Sequence, residues 1–588
     1  MRSRMEHNYL ERFDVMRWLL LCMCVCAVAG IELLCDPPLC SVETPDYRSR
    51  LKFYVEGNTV EINHTVSYLY VNCHRRSTLD SLAMPHFTSE FKVSTIILAE
   101  CPLPTTRNAS LANALSAMNV TLQPINGETF FKLFDFPPEP KLTPYHFSGL
   151  EHLTNLSIKS FVSNPELPTS FFGEFHNLRS LQLRGFQLSD GELSRLPQTL
   201  KSLDLTGISA EILPETLQAA VFEATQALPG LERLTLEKRY SESTFNVNET
   251  TDKIITKLQN NATSSLESID LYFWTELRPA PLDQCDNLRV FASSKSLITG
   301  LPARFVAACP RIEVLRVNVS PGLKSLPVKF LEGANTLKRL ELNNCNLKSL
   351  PEGFFQYAPN LIELDLSYNS LETLPSDIFL GVPLQSLLVH HNYLNSSLLS
   401  SLTELTTLTE LNLARNDFGD FCEDNGYSPL QNLTKLKKLD LSYNDITRIC
   451  RDWRENLLYL EVLNLNSDKI RRLRFTDFQY TRDTSVKNSV VNLGDWFTFI
   501  TFTENDYKNA LTAPKTDVTL KFENNFVYDD TMNLECDCSV YWLRRAMTDA
   551  SHAIKIKNLH CKDKRNLKDL KPEEVCPGRE IIKTTEKS

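Results

Sequence analysis

The sequence predicts an α/β solenoid, a curved stack of short coils with parallel strands lining the concave side and disulfide-stapled caps at both ends. Three observations predict it. Cys345, Asn369, Asn392, Asn416, Asn444 and Asp468 recur at steps of 23 or 24 residues, stretched once to 28. Before each rung stands one apolar frame, clearest as Leu361, Leu364, Leu366, Asn369, Leu371 and Leu374, followed by Pro375. Clusters of cysteine flank the array.

Leu364 and Leu366 are two apart, so on a strand they point to one face, while Asp365 and Ser367 point to the other. An asparagine buried just past the strand can accept from and donate to backbone groups that the turn leaves unpaired. Stacked copies then form a ladder. A thiol fills the same slot as a small apolar group, so Cys345 reads as packed and free. This frame and period are those of the leucine-rich repeat. Towards the N-terminus the frame weakens but persists, as in Leu315 and Val317, Leu288 and Phe291, Ile269 and Leu271, Leu234 and Leu236, Leu203 and Leu205, Leu181 and Leu183, and Leu156 and Ile158. Return limbs carry Leu-Pro and then Phe, as in Leu167, Pro168 and Phe171 or Leu301, Pro302 and Phe305. Proline stops the strand and the aromatic fills the wedge between coils. A lone repeat cannot bury its apolar face, so the copies must stack.

A chain of 588 residues exceeds the usual single core, but a solenoid grows by repeats and escapes that ceiling. The net charge of -10 offers no basic excess for nucleic acid or an anionic membrane. Arg17, the apolar run 18–28 and small residues near Ala29 and Gly30 form a signal-peptide pattern, too short for a membrane span. The expected organisation is a leader at 1–30, an N-terminal cysteine cap with first irregular repeats at 31–130, the solenoid at 131–530, a C-terminal cysteine-rich cap at 531–580 and a tail at 581–588. No other apolar run is long enough for a membrane helix, so the mature product is expected to be soluble.

Cys285 and Cys309 share one phase in successive coils, as do Cys422 and Cys450. Strand spacing of about 4.8 Å lies within disulfide reach, so each pair is expected to bridge. Cys35, Cys40, Cys73 and Cys101 staple the first cap with open connectivity. In the second cap Cys536 is expected to pair with Cys561 and Cys538 with Cys576, a secreted context favouring bridges over zinc. Glycosylation sequons begin at Asn63, Asn108, Asn119, Asn155, Asn248, Asn261, Asn318, Asn395 and Asn432. Asn155 and Asn318 fall in or beside strands, so glycans there would shade the concave face or its rim.

The chain carries no phosphate-cradling glycine run, nucleophile elbow or metalloprotease signature, and neither an enzyme nor a cofactor is expected. His390 and His391 read as surface residues, with no third ligand for a metal. The aromatics Trp496, Phe497, Phe499 and Phe502 read as core or convex packing.

The caps, the Leu-Pro-Phe limbs, the stretch from Leu439 to Asn444 with Asp452 and Trp453 nearby, and Glu535 to Cys538 followed by Trp542 resemble the N-terminal half of an insect Toll receptor ectodomain, over residues 31–580. The resemblance implies an extracellular module that binds a Spätzle-like cystine-knot dimer in innate immunity or development, with receptor dimerisation on binding. A second repeat block, a membrane helix and a signalling domain, all part of that family's pattern, are not in this sequence. Outward strand positions of the early repeats are the expected contacts: Gln182, Arg184, Asp204, Thr235, Glu237, Asp270 and Tyr272. Two other readings share the fold: an adhesion or matrix protein, and a soluble decoy form of the receptor.

Overall fold

The computed structural model describes residues 285–466 without interruption. It also describes 68–73, 90–101, 103–104, 110–136, 142–160, 167, 171–173, 175–186, 196–208, 228, 230–238, 265–273, 282, 468–470, 472–473, 477, 486, 488–493, 499–500, 517–522, 536–538, 543–544, 547, 554–561, 563 and 565–576. At 33–34, 40–43, 50–55, 58–63, 86–87, 207–208, 472, 499–500, 517, 554 and 572–573 the backbone alone is described. The leader, Cys35, the sequons Asn108, Asn248 and Asn261, residues Trp496, Phe497 and Phe502, and the tail lie outside the described residues.

Two compact units divide the chain: residues 1–275 with 283–290, and residues 276–282 with 291–588. The first opens with an antiparallel meander of Cys40–Glu43, Arg50–Val55, Asn58–Asn63 and Tyr68–Asn72. From Tyr68–Asn72 onward the pairing is parallel, through Thr95–Ala99, Phe130–Phe136, Asn155–Ser160, Ser180–Arg184, Ser202–Ile208, Arg233–Lys238 and Ser268–Tyr272. Leu156, Leu181, Leu203, Leu234 and Ile269 stand side by side in that sheet. The four leucines are at most 2 % exposed, so each contributes about 2 kcal/mol of apolar burial.

In the second unit Val314–Asn318, Arg339–Glu341, Glu363–Asp365, Ser386–Leu388, Glu410–Asn412, Lys438–Asp440, Val462–Leu465, Asn488–Leu493, Asp517–Phe522 and Ile554–Lys557 pair in parallel in chain order. The row Leu340, Leu364, Leu387, Leu411, Leu439 and Leu463 is buried. On the return limbs the phenylalanines stack coil on coil: Phe305 on Phe330 at 5.9 Å, Phe330 on Phe354 at 6.0 Å and Phe355 on Phe379 at 5.8 Å between ring centroids. On these limbs the aromatic after Leu-Pro therefore packs against a counterpart in the next coil.

The rungs supply the polar half of the core. Asn369 Oδ1 accepts from the N–H groups of Cys345 (3.1 Å) and Leu347 (2.9 Å), while its Nδ2 donates to Leu342 O (2.7 Å) and Leu366 O (2.9 Å). Asn392, Asn416 and Asn444 repeat the pattern, each joining its own turn to the preceding coil. Cys345 is the one free thiol among the described residues, and burial pushes its pKa up to about 12. Its Sγ donates to Val317 O at 2.9 Å and Asn343 O at 3.3 Å, as a rung amide would, and the buried thiol stays unreactive.

Candidate functional site

On the open side of the first unit's sheet, alternation and register bring side chains far apart in sequence into rows. One row runs Lys132, Ser157, Gln182, Asp204, Thr235 and Asp270. Beside it run Phe134, Lys159, Arg184 and Thr206, and further along Glu237 faces Tyr272. The seven expected contact residues thus lie on four adjacent strands. Hydrogen bonds tie the row together: Ser157 Oγ donates to Gln182 Oε1 at 2.6 Å, Gln182 Nε2 donates to Asp204 Oδ2 at 2.5 Å, and Arg184 Nε donates to Thr206 Oγ1 at 2.7 Å. Each spans a single gap between neighbouring strands of about 4.8 Å.

Charge divides this face. Lys132, Lys159 and Arg184 occupy three consecutive strands, and Asp204, Glu237 and Asp270 occupy the next three. Lys159 leans on Asp135 at 3.3 Å. Burial raises the Asp204 pKa; Gln182, Arg184 and Thr206 oppose that rise and Asp270 adds to it. Asp204 Oδ1 is buried and accepts no hydrogen bond. Arg184 and Tyr272 are exposed, and Gln182, Asp204, Thr235, Glu237 and Asp270 are half-buried. A partner reaching into these two rows meets a basic half and then an acidic half, with the exposed Arg233 beside the acidic half on the face of Thr235 and Glu237.

In the second unit the residue before each asparagine rung has left-handed backbone: φ is +54° at Tyr368, +53° at His391, +54° at Arg415 and +58° at Tyr443. Such a backbone costs a non-glycine residue roughly 1 kcal/mol, which the rung hydrogen bonds offset. The four side chains line up along the edge of the sheet. Tyr368 stacks on His391 at 4.1 Å, His390 meets Tyr368 edge-on at 5.2 Å, and the Arg415 guanidinium lies 3.8 Å over the Tyr443 ring. Burial, Arg415 and His390 lower the His391 pKa, and burial lowers that of His390 against the pull of Asp365 and Asp440. Both rings are therefore favoured as neutral stacking partners. Among the described residues no cluster of three or more His, Cys, Asp or Glu could hold a metal.

The cysteines form Cys73–Cys101, Cys422–Cys450, Cys536–Cys561 and Cys538–Cys576 bridges, and Cys285 and Cys309 are each disulfide-bonded. Cys40 and Asn63 are described as backbone only. The 28-residue step from Asn416 to Asn444 is anchored by more than its disulfide. Asp452 accepts from Ser428 N–H at 2.7 Å and Ser428 Oγ at 2.6 Å, beside the fully buried Trp453. Sequence reasoning missed this anchor and the edge stack. The stack had a signal, since Tyr368, His391, Arg415 and Tyr443 share one phase. Of the described sequons, Asn395 and Asn432 are exposed, Asn119 and Asn318 are half-buried, and Asn155 Nδ2 donates to Thr129 O at 3.2 Å and Thr154 Oγ1 at 2.9 Å.

Leucine-rich-repeat family models match residues 335–394 and, separately, 404–420 with 432–448. No curated protein matches the sequence. Among solved structures, the Toll–Spätzle complex of Drosophila is similar with a TM-score of 0.58 and 17% identity, over 91% of this chain and 75% of that one. Its glycosylated form gives 0.55 and 18%, over 92% and 76%. The mouse RP105/MD-1 complex gives 0.50 and 17%, over 82% and 83%. Repeat matches and structural likeness together establish the fold, a leucine-rich-repeat solenoid like those of the Toll and RP105 chains.

Proposed function

We propose that the chain is the extracellular, glycosylated ligand-binding ectodomain of a Toll-type receptor, and that it takes a Spätzle-like cystine-knot dimer on the open face of its early strands, with two receptor chains brought together on binding. The observation that carries this reading is the charge-divided row on six consecutive strands, from Lys132 to Asp270. Parallel stacking holds those side chains on a fixed lattice, and a pre-organised face loses little freedom on binding. Electrostatic complementarity across such a face sets partner choice and encounter rate. The disulfides suit an oxidising compartment. No helix among the described residues is long and apolar enough to cross a membrane.

The test is affinity for a recombinant Spätzle-like dimer, measured on the intact chain and on the double variant Arg184→Glu, Glu237→Lys. Loss on the order of a hundredfold, growing as salt is lowered, is expected if both charge zones meet the ligand. Unchanged affinity would remove this face from the interaction. An intact chain that binds none of a panel of cystine-knot dimers would remove the ligand class.

A further inference from the structure

The last rung of the ladder is an acid where the others are amides. Asp468 is 2 % exposed. Its Oδ1 accepts from Asn444 N–H at 2.8 Å and Ile446 N–H at 3.2 Å, as an asparagine Oδ1 does one coil earlier. Its Oδ2 is buried with no hydrogen-bond partner. In Asn444 the atom in that place is Nδ2, which donates to Leu413 O, Leu441 O and Ser442 O; in Asn416 it donates to Val389 O, Leu413 O and Ala414 O. One coil further on, the carbonyls that correspond by repeat position are those of Leu441, Leu465 and Asn466. Among the described residues no donor meets that oxygen, and a carboxylate oxygen cannot pair with carbonyls. A carboxylic O–H can donate as the amide does.

We infer that Asp468 is held as the neutral acid and that its Oδ2 proton closes the ladder, making its coil, residues 462–466 with 468–470, a proton-dependent joint. The surroundings agree. Burial is the largest influence and pushes the Asp468 carboxyl up to about 8; the backbone N–H groups of Asn444 and Ile446 oppose it, and the charges of Asp445 and Asp440 reinforce it. The nearby cation among the described residues, Lys469, is exposed and engages Asp445 at 2.6 Å. In the opened chain Asp468 returns to an ordinary carboxyl pKa of about 3.9. Between about pH 4 and 8 the native joint keeps a proton that the opened joint releases. This contribution to stability is therefore complete below about pH 4, declines as pH rises and is lost by about pH 8. Mild acid tightens the joint, the reverse of a salt-bridged carboxylate.

Hydrogen exchange on the intact chain tests this, after correction for the intrinsic pH dependence of exchange. For the amides of Asn444, Ile446 and this coil, the opening constant is expected to rise about tenfold per pH unit between about pH 5 and 7, the signature of one released proton. In Asp468→Asn, which supplies a permanent donor, that slope is expected to vanish while protection at neutral pH is kept or increased. Infrared spectroscopy gives a second readout independent of opening: a buried carboxylic-acid C=O band at neutral pH, absent from Asp468→Asn. Equal slopes in the two proteins, or no such band in the native chain, overturns the inference.

Discussion

The coils that carry rungs and the coils that lack them end their strands differently. Between Arg339 and Asp440 the paired strands are three residues long, and an asparagine amide or, at Cys345, a thiol takes over where backbone pairing stops. In the first unit Phe130–Phe136 and Ser202–Ile208 run for seven residues and Ser180–Arg184 for five. The hydroxyl contacts there lie ahead of the strand, where Thr154 Oγ1 accepts from Thr129 N–H at 2.7 Å and donates to Thr129 O at 2.9 Å, a side on which the second unit also uses hydroxyls, as Thr336 Oγ1 donates to Ile312 O. An amide donates and accepts along a fixed direction at the coil centre, so one side chain per coil suffices. Without it the backbone goes on pairing, and the longer strands present more side chains on their open face. The candidate binding rows lie in the region that gave up its rungs.

Asn444→Ala breaks the rung region hardest. It removes the acceptor of the part-buried Asn416 N–H and the donor in three buried bonds to carbonyls. A loss of about 3 kcal/mol is expected in denaturant unfolding. A smaller effect comes from Asp452, whose carboxyl burial pushes up to about 6 against the hydrogen bonds from Ser428. Because the folded value lies above the unfolded one, its contribution is full below about pH 4 and is lost as pH rises through about 6. Unfolding midpoints taken across that window should fall by an amount on the order of 2 kcal/mol more in the native chain than in Asp452→Asn. The smallest effect is expected for Thr154→Val in the rungless region, about 1 kcal/mol, because longer backbone pairing shares the load. If Thr154→Val costs as much as Asn444→Ala, the distinction between the two kinds of coil fails.

Much of this was legible in the sequence because a repeat converts spacing into position. Once Leu181 and Leu203 are placed inward, Gln182 and Asp204 must face outward in one row, and the structure hydrogen-bonds them. The rung at Asp468 was visible in the same way, but an acid without a donor opposite it is a property of three dimensions. Spacing says nothing about backbone handedness, so the stack of Tyr368 on His391 and of Arg415 on Tyr443 could not be derived from alternation alone. Ser428 and Asp452 are one regular step of 24 residues apart, but spacing does not say which side chains of neighbouring coils hydrogen-bond, so their contact escaped.

That irregular step has a consequence of its own. Although extra residues separate Asn416 from Asn444, Leu411 still pairs with Leu439 and Asn412 with Asp440, so the surplus is absorbed away from the sheet. Length changes on the return side and residue changes on the strand side are thus independent variables. A lineage of such chains can remodel its outer loops while keeping an inherited contact surface, or alter that surface while the loops stay the same.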